Sequence, residues 1–254
     1  MLKVLTYNVN GIRAAIKKGF VEWLSATQAD IICLQEIKIN ASQFPYELFE
    51  NLGYQCYIFP AQKAGYSGVA VLSKIAPKEV KKGCGISSYD EEGRLLSLDF
   101  ENFRLISAYL PSGSSGELRQ DFKMQFLADF YDWIKQQKEK NLIICGDFNI
   151  CHQAIDIHNP KANAKSTGFL PEERAWFSSF LEIGFLDSFR YLHPETPHHY
   201  TWWSMRSNAR AKNLGWRIDY QIISESLASN LMRAIILSEA QHSDHAPALI
   251  ELAI

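Results

Sequence analysis

Two short stretches in the second half of the chain carry residue types suited to acid-base chemistry. In Ile143-Ile144-Cys145-Gly146-Asp147-Phe148-Asn149-Ile150 an apolar, β-branched run is halted by Gly146. Asp147 and Asn149 follow one residue apart, so an extended backbone points both side chains the same way. In Gln241-His242-Ser243-Asp244-His245-Ala246-Pro247 an acid and an imidazole stand side by side just before a final apolar run. Asn8 and Asn10, Glu36, and Asp219 add further oxygen donors elsewhere. This set is rich in carboxylate and amide oxygen, holds one imidazole and lacks thiolate ligands, which suits Mg²⁺, with Mn²⁺ as a substitute. Phosphodiester hydrolysis needs a base for water, donors around the charged phosphorane and help for the leaving oxygen. Asp147 serves the first need, Asn8, Asn149 and His245 the second, and a cation at Glu36 the third. Asp219 is expected to hold the His245 ring and keep it cationic. Each stretch taken alone has a plainer reading, since Gly, Asp and Asn also favour ordinary strand-ending turns.

The elements that would position these residues alternate between strand and helix. Leu2 to Tyr7 reads as a strand ending at Asn8 and Asn10, followed by helical spacing from Arg13 to Gln28. Asp30 to Gln35 reads as a second buried strand, finishing on Glu36. A helix is expected around Tyr46 to Leu52, strands at Tyr54 to Phe59 and Ser67 to Leu72, and a hairpin of Arg94 to Phe100 with Phe103 to Tyr109 about Glu101-Asn102. Phe122, Phe126, Phe130, Trp133 and Ile134 recur at helical spacing within Glu117 to Lys138, so they are assigned to a core. A long polar segment, Asp156 to Ser166, has the length of a functional loop. Pro171-Glu172-Glu173 opens a helix running to about Ile183, and strands close the chain at Arg233 to Leu237 and Ala246 to Leu252. Asn8, Glu36, Tyr109, Asp147, Asn149, Asp219 and Asp244-His245 all fall at strand ends or in the loops after them, where α/β proteins assemble sites.

A chain of 254 residues with 47% hydrophobic content supports a sizeable core, and no linker or low-complexity segment divides it, so residues 1–254 are expected to form a single domain. Five cysteines without CxxC spacing read as buried free thiols of a reducing compartment, with Cys151 a bystander near Asn149. Neither a signal peptide nor a membrane span is expected, which places the protein in the cytoplasm. The net charge of -2 argues against indiscriminate coating of nucleic acid. From Thr201 to Ile218, however, there is no acid, and Arg206, Arg210, Lys212 and Arg217 interleave with Trp202, Trp203 and Trp216. That is the footprint of a nucleic-acid face, unless it is a solvated surface over a tryptophan-anchored core.

The motifs Asn8-Val9-Asn10-Gly11, Leu34-Gln35-Glu36, Gly65-Tyr66-Ser67-Gly68-Val69, Gly146-Asp147-Phe148-Asn149, Gly215-Trp216-Arg217-Ile218-Asp219-Tyr220 and Ser243-Asp244-His245-Ala246-Pro247 occur in order over nearly the whole chain. Together they resemble the exonuclease III family of apurinic/apyrimidinic endonucleases, closer to its human-type branch. The resemblance implies a four-layer α/β sandwich, two packed β-sheets flanked by helices in the DNase I-like manner. It implies Mg²⁺-dependent cleavage of duplex DNA 5′ to an abasic site, leaving a 3′ hydroxyl and a 5′ deoxyribose phosphate, with 3′-5′ exonuclease or 3′-phosphodiesterase activity. Carried onto this chain, Asn10, Glu36 and Asp244 match the metal region, to which Asp147, Asn149 and His245 also contribute. Asp147 matches the water-activating acid, Asn149 its orienting partner, Tyr109 the phosphate-directed tyrosine, and Asp219 with His245 the Asp-His pair. Tyr66, Ser112, Asn163, Ser166 and Arg206 match DNA-contacting loops, while Trp202, Trp216 and Ile218 match the pocket for the flipped abasic sugar, whose extrusion costs least where pairing is already lost.

Three positions depart from the family pattern. Asn10 stands where some members have Asp, Ser112 where an Asn or Gln helps to hold phosphate, and Trp202 where the human-type enzymes carry a smaller aromatic. Duplex DNA with abasic sites or blocked 3′ ends is the expected partner, and a monomer the expected state. Two competing readings are another metal-dependent phosphoesterase of the wider superfamily and a catalytically silent DNA-binding protein. The Trp202 to Asp219 block disfavours the first, and retention of Glu36, Asp147, Asn149, Asp219 and His245 the second.

Overall fold

A computed structural model describes residues 1–137 and 141–254. Two six-stranded sheets lie at its centre. In the first, the order is β13 (Leu231–Ile236), β14 (Ala248–Leu252), β1 (Leu2–Asn8), β2 (Ile31–Gln35), β4 (Val69–Ser73) and β3 (Gln55–Phe59). In the second it is β5 (Glu79–Lys82), β6 (Leu95–Asp99), β7 (Arg104–Tyr109), β8 (Leu142–Asp147), β12 (Asp219–Ser224) and β9 (Phe185–Asp187). A separate two-stranded ribbon pairs β10 (Trp202–Trp203) with β11 (Gly215–Trp216). Each large sheet has one parallel pair at its middle, β1 with β2 and β7 with β8, and antiparallel neighbours outside it. The two middles therefore match, and both parallel pairs direct their carboxyl ends to the side where the candidate residues lie.

Three apolar layers hold this arrangement. Val4, Ile31, Cys33, Val71, Leu98, Leu105, Ile143, Cys145 and Ile250 fill the space between the sheets. The outer face of the first sheet is covered by α1 (Ile12–Lys17), α2 (Phe20–Thr27) and α3 (Tyr46–Glu50), through Ile12, Phe20, Leu24 and Phe49. The outer face of the second is covered chiefly by α5 (Glu117–Lys135) and α7 (Pro171–Glu182), which bring Phe126, Phe130, Phe177 and Phe180 onto Ile106, Ile144 and Ile222. Helix, sheet, sheet and helix give the four-layer α/β sandwich, and strands buried on both faces explain why β2 and β8 read as unbroken apolar runs. Shorter helices α4 (Ser87–Asp90), α6 (Pro160–Asn163) and α8 (Ser188–Leu192) complete the set. No described helix is long and apolar enough to cross a membrane.

Several sequence expectations shift. The helix expected over Arg13 to Gln28 is two helices, because Gly19 takes a left-handed φ of 86° between them. The aromatic helix ends at Lys135, and its expected end at Lys138 lies outside the described residues. Asp156 to Ser166 is not structureless: it holds α6, and Asp156 itself is buried. Arg217 is the largest departure. It is 1% exposed and pairs with Asp156 at 2.8 Å and Asp187 at 2.7 Å, with Arg190 joining Asp156 at 2.6 Å. Breaking such a buried group costs about 3–5 kcal/mol. Arg210 is also occupied, donating to the carbonyls of Ser238, Ala240 and Ser243. Of the four basic residues in that segment, Arg206 and Lys212 alone are exposed.

Candidate active site

The four central strands deliver Asn8, Glu36, Tyr109 and Asp147 to one end of the sandwich. Gly146 makes the approach possible: a Cβ there would lie 1.7 Å from the Ala108 carbonyl oxygen on the neighbouring strand. Asp219 is directly opposite Asp147 in the β8–β12 ladder, and His245 sits in the loop leading to β14. Asn10, Glu36 and Asn149 have φ of 45°, 51° and 51°. Left-handed conformations at non-glycine residues cost of order 1–3 kcal/mol each, and they cluster here.

Hydrogen bonds, with one longer charge contact between His245 and Asp147, connect the groups across the two sheets. Asn8 is fully buried and donates its amide to Glu36 Oε1 at 2.8 Å and Asp147 Oδ2 at 2.9 Å. Asn149 donates its backbone N–H to Asp147 Oδ1 at 2.8 Å, and its side chain reaches Leu110 O at 3.0 Å and Asp147 Oδ2 at 3.3 Å. His245 places Nδ1 2.9 Å from Asp219 Oδ2 and Nε2 4.0 Å from Asp147 Oδ2. The buried Thr201 hydroxyl accepts the backbone N–H groups of Ile218 and Asp219, both at 3.0 Å, which fixes the strand carrying them. Asp244 accepts from Asn10 Nδ2 at 2.9 Å and Trp202 Nε1 at 3.1 Å.

The electrostatics follow from burial against pairing. Burial disfavours a charged His245, but Asp219, then Asp147 and Asp244, push its pKa up to about 10. Burial and the carboxylates of Asp219 and Glu36 push Asp147 up to about 7 against the pull of His245. Burial likewise opposes ionisation of Glu36, but Lys38 and Asn8 hold its carboxyl below the usual range. Tyr109 is held well above the ordinary phenol value by burial and Glu36, so it keeps its proton. Arg94, 1% exposed, braces it by donating to its carbonyl at 2.7 Å and lying 4.8 Å from its ring centroid.

Oxygen or nitrogen atoms of Glu36, Asp147 and His245 lie within 4.8 Å of one another, the spacing of a cation site. An imidazolium has no lone pair for a metal, so the hard oxygens of Glu36 and its neighbours fit Mg²⁺ better than the ring does. These groups open into a cavity of about 420 Å³ whose other walls include Ser112, Trp202, Trp216, Ile218, Thr167 and Gly168. The two indoles meet edge to face at 87°, with ring centroids 6.0 Å apart. A second cavity of about 480 Å³ beside His198, Trp203 and Arg210 has Glu239 on its wall but none of Glu36, Asp147, Asp219 or Asp244, so chemistry rather than size selects the first.

Of the expected DNA-contacting residues, Ser112, Trp202, Trp216 and Ile218 line the cavity, whereas Tyr66, Asn163, Ser166 and Arg206 stand outside it. The Tyr66 hydroxyl accepts from Arg119 at 2.8 Å, and Asn163 donates to the carbonyls of His158 and Asn159. The Cys151 thiol points inward and donates to Asp156 O at 2.9 Å. Sequence reasoning missed Lys38, whose ammonium contacts Glu36 Oε2 at 2.7 Å and Asn10 Oδ1 at 2.5 Å. Its place two residues after Glu36 was the available signal. Thr167 and Gly168 were also missed, because small residues in a loop carry no chemical signature.

A buried acid facing an Asp-His pair, with amide donors and an oxygen-rich corner, is the set of groups that phosphoester hydrolysis requires. Residues 5–245 match the Endonuclease/Exonuclease/phosphatase family, and the chain belongs to that family. Among individual proteins, it is 43% identical over 255 residues to an exodeoxyribonuclease of Bacillus subtilis (strain 168), covering 100% of this chain and 99% of the relative. It is 40% identical to the DNA repair nuclease APEX1 of Danio rerio, covering 100% of this chain and 83% of that protein. The structure of an AP endonuclease from Archaeoglobus fulgidus superimposes with a TM-score of 0.91 at 28% identity, each chain covered in full.

Proposed function

We propose that this chain is a DNA base-excision-repair nuclease that hydrolyses the phosphodiester 5′ to an abasic site in duplex DNA, with 3′-5′ trimming as a second activity. The observation that carries the reading is the chain from Glu36 through Asn8, Asp147 and His245 to Asp219 at the mouth of an indole-walled cavity. The names of the relatives support the same substrate class.

In this reading the abasic sugar enters between Trp202, Trp216 and Ile218, a space that takes deoxyribose without a base. Deprotonated Asp147 orients a water and accepts its proton as the water oxygen attacks phosphorus. Asn149 and Asn8 hold the carboxylate in line through their amide groups. The developing phosphorane charge is met by the imidazolium of His245 and the phenol of Tyr109, both kept protonated by their surroundings. The P–O3′ bond then breaks, leaving the 3′ oxygen to take up a proton and the 5′ deoxyribose phosphate on the other side. Glu36, with Asn10 and Asp244 nearby, would hold a divalent cation, which when bound would supply positive charge to offset the negative charge building up on the reacting phosphodiester. Mg²⁺ is the proposed ion, Mn²⁺ its substitute, and the monomer the acting species.

The test is Mg²⁺-dependent cleavage of a labelled duplex with one abasic analogue beside an undamaged control, for wild type and Asp147→Asn. Incision 5′ of the lesion that chelation and the substitution both abolish is the expected result. Binding without cutting by the wild type overturns the catalytic reading.

A further inference from the structure

Lys123 and Glu173 take no part in the chemistry above, yet both side chains are 0% exposed and their charged ends meet at 2.6 Å. Apolar residues of similar volume generally serve a fold as well as a buried ion pair, so the pair invites a search for what else it holds. The ammonium of Lys123, on α5, also donates to the carbonyl of Asn149 at 2.8 Å. That carbonyl belongs to the left-handed residue which orients Asp147. On the other side, Glu173 Oε2 accepts the backbone N–H groups of Gly168 at 2.6 Å and Leu170 at 3.0 Å, while Gln120 reaches Oε1 at 3.1 Å. Gly168 lines the cavity, and a Cβ there would lie 3.1 Å from both Asn149 O and the Trp216 ring. Asn149, Gly168 and Trp216 are thus in close contact, with the ion pair tied to the first two.

We propose that Lys123 and Glu173 are positioning residues: together they lock the Asp147–Asn149 turn to the Thr167–Gly168 wall, setting the distance between the water-activating acid and the indole that receives the sugar. The inference rests on the roles given above to Asp147 and Trp216. It assigns the pair a catalytic consequence rather than a purely structural one. Loss of the Asn149 contact should therefore lower kcat, because the turn loses its support, while the DNA surface that governs KM stays in place.

The decisive variant is Lys123→Met with Glu173→Gln. It removes both charges together and keeps an amide oxygen for Gly168 and Leu170. Thermal melting, steady-state incision of an abasic duplex, and the nuclear Overhauser contact between Gly168 and the Trp216 ring are measured on it and on the wild type. The double variant is expected to melt close to the wild type, lose about tenfold or more in kcat with KM changed less, and weaken the Gly168–Trp216 contact. Wild-type kcat, or an unchanged contact in a folded double variant, overturns the inference. If the double variant does not fold, Glu173→Gln alone decides, since Lys123 still donates to Asn149 there. It should lower kcat about threefold or more with KM changed less, because the charged link to the Gly168 wall is lost, and wild-type kcat with an unchanged Gly168–Trp216 contact overturns the assignment. Absence of incision by the wild type itself strikes at the function rather than at the pair, for which the Gly168–Trp216 contact remains the readout.

Discussion

Replacing Asp219 by asparagine tests whether His245 acts as a cation. In the folded protein the imidazole pKa rises from 6.5 to about 10, with Asp219 the foremost of the groups that raise it. That difference corresponds to about 5 kcal/mol of preference for the charged ring. The ring is 4% exposed, so solvent screens little of the interaction. The Asp219→Asn change keeps a hydrogen-bonding side chain and removes the charge, leaving burial to act against Asp147 and Asp244. The His245 pKa then falls back from about 10 toward the ordinary imidazole value of 6.5. In the proposed mechanism the protonated ring is the active form, so its contribution is present below the pKa and lost as pH rises through it. Wild-type kcat/KM for an abasic duplex should therefore hold until near pH 10, and the variant should lose its alkaline side near pH 6.5. At about pH 8 a limb moved to 6.5 leaves about one ring in thirty charged, a rate loss of about 30-fold that shrinks at lower pH. Steady-state incision across the pH range, with a ¹⁵N titration of the ring, reads both quantities. An alkaline limb that stays near 10 in Asp219→Asn refutes the assignment.

Two other outcomes follow from the same geometry. Glu36→Gln should weaken Mn²⁺ binding to the DNA-free protein about tenfold or more, read by the free-ion electron paramagnetic resonance signal, because it removes the carboxylate at the centre of the cation corner; unchanged affinity would move the site elsewhere. Gly146→Ala should cost about 3 kcal/mol or more in urea unfolding, because a Cβ 1.7 Å from the Ala108 carbonyl must force β7 and β8 apart. A loss below about 1 kcal/mol would mean that the ladder yields there.

The site was more legible in the sequence than the surface around it. Asp147, Asn149, Glu36 and Tyr109 end strands whose apolar runs are easy to read, so their common location follows from topology. His245 and Asp219, 26 residues apart, meet because β12 and β14 occupy matching places in the two sheets. The basic segment misled because charge in a sequence carries no direction: Arg217 looks like its neighbours but points inward to Asp156 and Asp187. Gly19 and α6 were missed because breaks and single helical turns leave only a few residues of pattern. Lys38 stood in plain view two residues after Glu36, whereas Thr201, Gly168 and the Lys123–Glu173 pair depend on contacts between distant segments, which residue spacing does not encode.

The chain from Glu36 to Asp219 also has a mechanical meaning. Asn8 reaches from the first sheet to Asp147 on the second, and Asp219 reaches back to His245, so two of its bonds span the gap between sheets. The layer of Cys33, Val71, Leu105 and Cys145 fills the space between the same two sheets. On the proposed mechanism, turnover becomes a gauge of how far apart the sheets stand. Hydrostatic pressure or a swollen interior would register as a change of rate while the fold is still intact.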